Sequence, residues 1–132
     1  LELALLSGDL SIADLPGAWN ELAKRLLGVH PKTAREGCLQ DVHWALGMFG
    51  YFPTYLIGNL YSAQFIESFT ARHDLNAALE KGDLQTLTAW LREHVHQHGC
   101  RMTAEEILTR ATGRELDAEP FFRAIAERFA RL

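Results

Sequence analysis

The stretch from Val42 to Ile66 contains no Asp, Glu, Lys or Arg, although 23% of the whole chain is charged. A membrane-spanning helix needs about 20 consecutive, predominantly apolar residues. His43, Asn59 and Gln64 interrupt this run too often for such a helix. Buried polar groups need hydrogen-bond partners. We therefore expect a buried segment whose polar side chains have specific partners, with the other elements arranged around it.

Length, charge and cysteine usage limit the class of protein. The 132 residues are enough to form a hydrophobic core, and we expect one domain over residues 1–132. The net charge of −4 argues against a nucleic-acid partner. Cys38 and Cys100 have no Cys-x-x-Cys spacing, so we expect two free thiols in a reducing, cytoplasmic location.

The first residues suggest a longer protein. The chain begins at Leu1 in helical register and without a methionine. We expect that it was cut from a longer chain partway through a helix. Processing of a few N-terminal residues explains the same feature equally well.

Start and stop signals for helices predict an all-α fold. Several glycines follow the apolar periodicity and are expected to close helices: Gly8, Gly28, Gly82, Gly99 and Gly113. Asp83 is expected to cap the helix that ends at Gly99, and Thr103 and Glu106 form a capping box. Pro53 can open a helix to about His73 that is apolar almost all round. We predict a compact bundle of six or seven helices around this buried central helix.

Histidine spacing raises the question of a metal site. His94 and His98 are four residues apart near a helix C-terminus and could share one metal ion. No His-Glu-x-x-His or His-x-x-Glu-His pattern occurs in the chain. Histidines favourably placed at the negative end of a helix dipole are the simpler interpretation, and we expect no metal ligands in this sequence.

The best acid–base candidates are Asp41 and His43. A carboxylate near an imidazole can fix its tautomer and raise its basicity. Considered by spacing alone, the pair is explained better by a structural role, in which both side chains satisfy backbone groups near the glycine turns. Both roles stay open at this point.

Residues Gly37 to Trp44 read Gly-Cys-Leu-Gln-Asp-Val-His-Trp. They match, at every fixed position, the Gly-x-x-Gln-Asp-x-His-Trp motif of the carboxypeptidase Taq family of metallocarboxypeptidases. The following Phe49-Gly-Tyr-Phe-Pro-Thr-Tyr55 segment is also similar to that family. The resemblance extends to Glu119-Pro-Phe121 and covers essentially the whole chain.

The resemblance implies a large helical enzyme that removes C-terminal residues from peptides with zinc or cobalt. Members of the family bind the metal through His-Glu-x-x-His and a later glutamate. They are thought to grip the substrate carboxylate with an arginine in Ile-Arg-x-x-Ala-Asp. Neither motif occurs in this sequence. We therefore expect a C-terminal portion that holds no metal and is inactive alone.

The same resemblance assigns this portion to a wall of the substrate groove. His43 is expected to contact the oxyanion or the substrate backbone, oriented by Asp41. The expected substrate-binding residues are Gln40, Trp44, Tyr51 and Tyr55. Core packing with a satisfied hydroxyl is an equally open role for each tyrosine.

Two classes of protein fit the sequence. The first is the metallocarboxypeptidase, which acts on peptide C-termini as a homodimer, with no nucleic-acid or membrane partner. The alternative is a free-standing helical interaction or dimerisation module that has the fold without the catalysis. Without the rest of a larger enzyme, apolar residues in Leu1–Leu6 and Tyr51–Phe65 would lose their cover, and they are expected to favour self-association of this chain.

Overall fold

The computed structural model describes residues 1–130, which form helices and turns with no strand. The α-helices are α1 (Glu2–Ser7), α2 (Leu15–Leu27), α3 (Phe52–Thr70), α4 (Leu75–Glu80), α5 (Gln85–His94), α6 (Ala104–Thr112) and α7 (Glu119–Phe129). Short 3-10 turns span Cys38–Gln40, Trp44–Leu46 and His96–Arg101. The predicted all-α class with six or seven helices is confirmed. No helix in this part of the chain is both long and apolar enough to cross a membrane.

Helix ends follow the signals in the sequence. Gly28 ends α2 with φ 70° and Gly113 ends α6 with φ 78°, a left-handed conformation that glycine adopts without strain. The capping box at the start of α6 is present. The Thr103 hydroxyl accepts the N–H of Glu106 at 3.2 Å, and the Glu106 carboxylate accepts the N–H of Thr103 at 2.7 Å. The predicted boundaries of these helices are confirmed.

One predicted helix is shorter than expected. Leu84, not Asp83, occupies the N-cap position of α5. Asp83 lies one residue earlier, where its side chain accepts the N–H of Gln85 at 2.9 Å. The helix ends at His94, well before Gly99. Val95 leaves the helical region with φ −125° and ψ −66°. The chain continues as a 3-10 turn that is interrupted at Gly99, where φ is 52° and ψ is −138°.

The chain divides into two compact units, Leu1–Pro53 and Thr54–Leu132. In the second unit, α3, α5 and α6 form the core. The ring of Trp90 meets Phe69 edge-on, with centroids 6.0 Å apart. Phe69 and Leu108 are fully buried, and α6 packs against α5. The expectation of one domain over residues 1–132 stays a prediction.

Helix α3 differs in burial from the sequence-based expectation. Its second half holds the buried Gln64 and Phe69. In its first half, Tyr55 and Leu56 are each 53% exposed and Ile57 is 40% exposed. Even the second half is covered on one side only, since Ser62, Ile66 and Thr70 are exposed there. The expectation of a central helix buried most of the way round is therefore wrong: only Gln64 and Phe69 of α3 are buried.

In the first unit, α2 packs against the 3-10 turn Cys38–Gln40. Pro31 and Cys38 are buried there. Both cysteines are free thiols, as expected, and Cys100 is exposed. The turn at Cys38 opens the segment that carries most of the predicted site residues.

Candidate functional site

The site segment begins at Gly37, which lies directly against α2. A Cβ atom at this position would lie 3.2 Å from Asn20 Oδ1 and 3.3 Å from both Trp19 Cδ1 and Pro31 Cβ. These separations are tighter than ordinary van der Waals contact, so the neighbours would have to move for any larger residue. Asn20 is itself held by a 3.4 Å hydrogen bond to the Pro31 carbonyl. The close approach of α2 therefore favours glycine at position 37.

Gln40 ties the start of the segment together. Its side-chain Nε2 donates to the backbone carbonyl of Arg35. Its own N–H donates to the carbonyl of Gly37 at 2.9 Å, which closes the 3-10 turn. The side chain is exposed at the surface of the first unit. Its predicted role in substrate binding stays a prediction.

Asp41 and His43 form a close pair. One carboxylate oxygen, Asp41 Oδ1, accepts the backbone N–H of His43 at 2.8 Å and lies 3.0 Å from His43 Nδ1. The Asp41 side chain is only 2% exposed and that of His43 is 15% exposed. Because an ionised carboxylate can only accept hydrogen bonds, the pair places a proton on Nδ1 of the imidazole.

Two aromatic rings flank the imidazole of His43. Tyr51 stacks on it with ring centroids 5.4 Å apart and an angle of 19° between the planes. Phe52, the first residue of α3, meets it edge-on at 4.7 Å. The ring is therefore fixed by Asp41 at one nitrogen and by aromatic contacts at its faces and edges. The sequence pointed to Asp41 and Tyr51 but not to Phe52.

The connection from Trp44 to Tyr51 is a pair of glycine turns. Gly47 and Gly50 have φ of 71° and 73°, as expected for turns that only glycine forms cheaply. The N–H of Gly50 donates to the carboxylate of Glu2, at the start of α1. Glu2 is a residue that sequence reasoning missed, because no local pattern reports a contact across 48 positions.

Trp44 and Tyr55 complete the predicted set. Trp44 begins the 3-10 turn after His43 and stacks on Phe49, with centroids 6.5 Å apart and planes 13° apart. Tyr55 lies in the first turns of α3, in the second compact unit, and half of its surface is exposed. Within the first unit the printed contacts join Asp41, His43 and Tyr51. Gln40 instead bonds to Arg35 and Trp44 stacks on Phe49.

The arrangement can bind polar groups of a peptide through His43. With a proton on Nδ1, Nε2 is the acceptor nitrogen of a neutral imidazole. A protonated imidazole instead donates from Nε2, to a carbonyl, carboxylate or oxyanion. A single histidine thus serves either as an acceptor or as a donor, set by its protonation state.

Metal coordination has no donor set in the described part of the chain. Within residues 1–130, no group of three or more His, Cys, Asp or Glu side chains is placed to hold a metal ion. His94 ends α5, where its Nδ1 lies 3.0 Å from the Trp90 carbonyl and its ring stacks on Trp90 at 4.5 Å. These contacts fit the helix-end interpretation of this histidine.

Comparison with known proteins supports a single family. A family model described as Carboxypeptidase Taq (M32) metallopeptidase matches residues 1–129. Thermostable carboxypeptidase 1 of Thermus thermophilus is 44% identical over 133 residues, covering 100% of this chain and 26% of that protein. Carboxypeptidase 1 of Bacillus subtilis is 39% identical over 133 residues, with the same coverage of both chains.

The fold is shared as well. The crystal structure of the M32 carboxypeptidase from Deinococcus radiodurans R1 matches with a TM-score of 0.91 and 38% sequence identity. The match covers 98% of this chain and 27% of that one. This chain therefore spans only a minor part of the length of the proteins it matches.

Proposed function

Because the chain belongs to the carboxypeptidase Taq (M32) family of metallopeptidases, we propose that it is the C-terminal portion of a metal-dependent carboxypeptidase. The complete enzyme would hydrolyse peptides from their C-terminal end. The observation that carries this proposal is the eight-residue segment from Gly37 to Trp44, which has every fixed residue of the family motif and folds into the Asp41–His43 pair.

We assign this portion to one wall of the substrate groove. His43 is the residue that contacts the peptide, as a donor to the oxyanion or as an acceptor for a backbone N–H. Asp41 is a positioning residue, because it acts through the imidazole. Gln40, Trp44 and Tyr51 of the first unit are proposed substrate-binding residues, and Tyr55 of the second unit is proposed as another. The near-complete burial of the Asp41 side chain supports this division of roles, since a buried carboxylate with two bonds to one histidine restricts how that ring can turn.

The metal of the complete enzyme, zinc or cobalt, is proposed to be held outside this chain. The family is one of metallopeptidases, yet the described residues offer no three-ligand group. The residues described here therefore do not form a metal site, and we assign none of them a role in binding the metal. The two free cysteines support a cytoplasmic location.

An assay of the full-length protein tests the proposal. A blocked dipeptide and a longer blocked peptide are incubated with the enzyme before and after a chelator, and then with zinc or cobalt restored. We expect release of the C-terminal residue that is lost on chelation and recovered with metal. The 132-residue chain alone, given the same metals, is expected to release nothing.

Two results would count against the proposal. Full-length protein that releases no residue with either metal would favour the interaction module. Metal-dependent release by the 132-residue chain alone, abolished by His43→Ala, would show that the metal site had been assigned to the wrong part of the protein.

A further inference from the structure

A cavity of about 590 Å³ lies in the second unit, between the C-terminal half of α3, the end of α5 and the end of α6. Its size falls within the range of small-ligand sites. The charged side chains around it are three arginines and one glutamate: Arg72, Arg110, Arg114 and Glu67. Positive charge is thus concentrated at one place in a chain whose net charge is −4.

The single carboxylate of this cavity is already engaged. Glu67 accepts from Arg114 with one oxygen and from Arg123 with the other, the second at 2.9 Å. Arg114 also lies 3.6 Å from a carboxylate oxygen of Asp117. The two carboxylates and these two guanidinium groups therefore balance one another, and Glu67 has little capacity left for a further cation.

Arg72 and Arg110 are left without such a partner. Within residues 1–130, neither side chain forms an ion pair or a hydrogen bond with a protein group. Both line the cavity. A guanidinium group binds planar anionic groups through paired N–H donors. Two unpaired guanidinium groups around one cavity are a suitable site for a carboxylate or a phosphate.

The floor of the cavity is preformed. Gln64, 0% exposed, donates to the Glu115 carbonyl at 2.9 Å and to Thr112 Oγ1 at 3.2 Å. Its Oε1 accepts the N–H of Asp117 at 2.9 Å. Ser68 donates to the Ala111 carbonyl at 3.0 Å. Because these groups satisfy one another, the floor is already ordered before an anion meets the two arginines.

We propose that this cavity binds an anionic group, a carboxylate or a phosphate, through Arg72 and Arg110. The group can belong to a free small molecule or to an acidic side chain from another part of the full-length protein. In both cases the chemistry of recognition is the same. The site is independent of the role assigned to His43.

The test uses full-length protein and three matched variants. Arg72→Gln and Arg110→Gln remove one guanidinium group each. Arg92→Gln is the control, since Arg92 is exposed on α5 and does not line the cavity. Binding of inorganic phosphate and of acetate is followed by calorimetry, and melting temperatures are recorded at low and high salt.

If the cavity binds a free anion, we expect saturable binding of phosphate or acetate. Each cavity variant should weaken that binding roughly tenfold, and the control should leave it unchanged. If an acidic side chain from elsewhere in the full-length protein occupies the cavity, we expect no saturable binding of phosphate or acetate. In that case each cavity variant lowers the melting temperature more than the control does, and the difference shrinks at high salt. The proposal is overturned if both cavity variants match Arg92→Gln in every measurement, or if anion binding is unaffected by them.

Discussion

One carboxylate oxygen of Asp41 makes two contacts with His43, at 2.8 Å to the backbone N–H and 3.0 Å to ring Nδ1. The first contact fixes the turn and the second fixes the ring, so a single side chain sets both the path of the chain and the tautomer of the imidazole. Structural and functional roles, which the spacing alone left as alternatives, are compatible in this geometry.

We expect His43→Ala in the full-length enzyme to lower kcat and kcat/KM together by roughly 10²-fold, the scale of losing one donor to a developing oxyanion. His96→Ala is the control, since His96 is an exposed histidine on the 3-10 turn after α5. Steady-state kinetics on a blocked peptide measure the effect. Unchanged kinetics with a lowered melting temperature would assign His43 a purely structural role.

Substitutions of Asp41 separate its two contacts. Asp41→Asn keeps an oxygen that can accept both N–H groups but removes the negative charge, so we expect a fall in kcat with little loss of stability. Asp41→Ala removes the acceptor as well, and is expected to cost about 1–3 kcal/mol of unfolding free energy in addition. Kinetics and thermal unfolding of the full-length protein measure both.

The control for this pair is Asp83→Ala. The Asp83 side chain accepts the N–H of Gln85, two residues later, as Asp41 does with His43, but its partner residue is not a histidine. It is expected to lower stability without a change in kcat. Equal kcat values for Asp41→Asn and the wild type would contradict the proposed positioning role of Asp41.

Gly37→Ala is expected to destabilise the full-length protein by about 1–3 kcal/mol, because the added Cβ crowds Trp19, Asn20 and Pro31. Gly17→Ala is the matched control. A Cβ at Gly17 meets nothing within 4 Å, and Gly17 lies inside α2. Alanine there is therefore expected to raise the free energy of unfolding by about 0.5–1 kcal/mol. Denaturant unfolding compares the two. Equal effects would show that α2 moves away at no cost.

Gln64→Leu is expected to lower the unfolding free energy by about 1–3 kcal/mol, because the fully buried Gln64 amide bonds the Glu115 carbonyl and the Asp117 N–H. Gln85→Leu, at an exposed position at the start of α5, serves as the control. Thermal and denaturant unfolding measure the difference. A fully stable Gln64→Leu protein would mean that other groups or water replace the amide.

The 132-residue chain studied alone is expected to form dimers or larger species. Leu3 and Leu6 of α1, and Leu56 and Ile57 of α3, are exposed apolar side chains. Exposed apolar surface costs about 25 cal/mol per Å², so a few hundred Å² favours association by several kcal/mol. Light scattering at high micromolar concentration and binding of an apolar dye check this. A monomer that binds no dye would contradict it.

The sequence predicts the helices well because their end signals are local. The Thr103–Glu106 capping box and the stop at Gly113 act within a few residues, and both are found as expected. The family motif likewise located Asp41 and His43. The pairing of these two residues is local too, since they are two positions apart.

Contacts between distant parts of the chain were not predictable in the same way. The Glu2 carboxylate accepts the Gly50 N–H, and α2 lies close to Gly37, but neither contact follows from periodicity or capping. The burial of α3 was also misjudged, because an evenly apolar helix gives no sign of which half its neighbours cover. Only the tertiary structure shows that Gln64 is enclosed while Leu56 is not.

The enclosed amide of Gln64 has a consequence for the order in which the chain assembles. Its partners lie 48, 51 and 53 residues further along the chain. The turn from Gly113 to Asp117 is therefore expected to reach its final shape only when α3 is in place beside it. On the ribosome, α3 emerges first and can serve as a template when that turn is synthesised. In refolding from denaturant the whole chain is present from the start. Closure of the loop between Gln64 and its partners then competes with other contacts that form as the chain collapses.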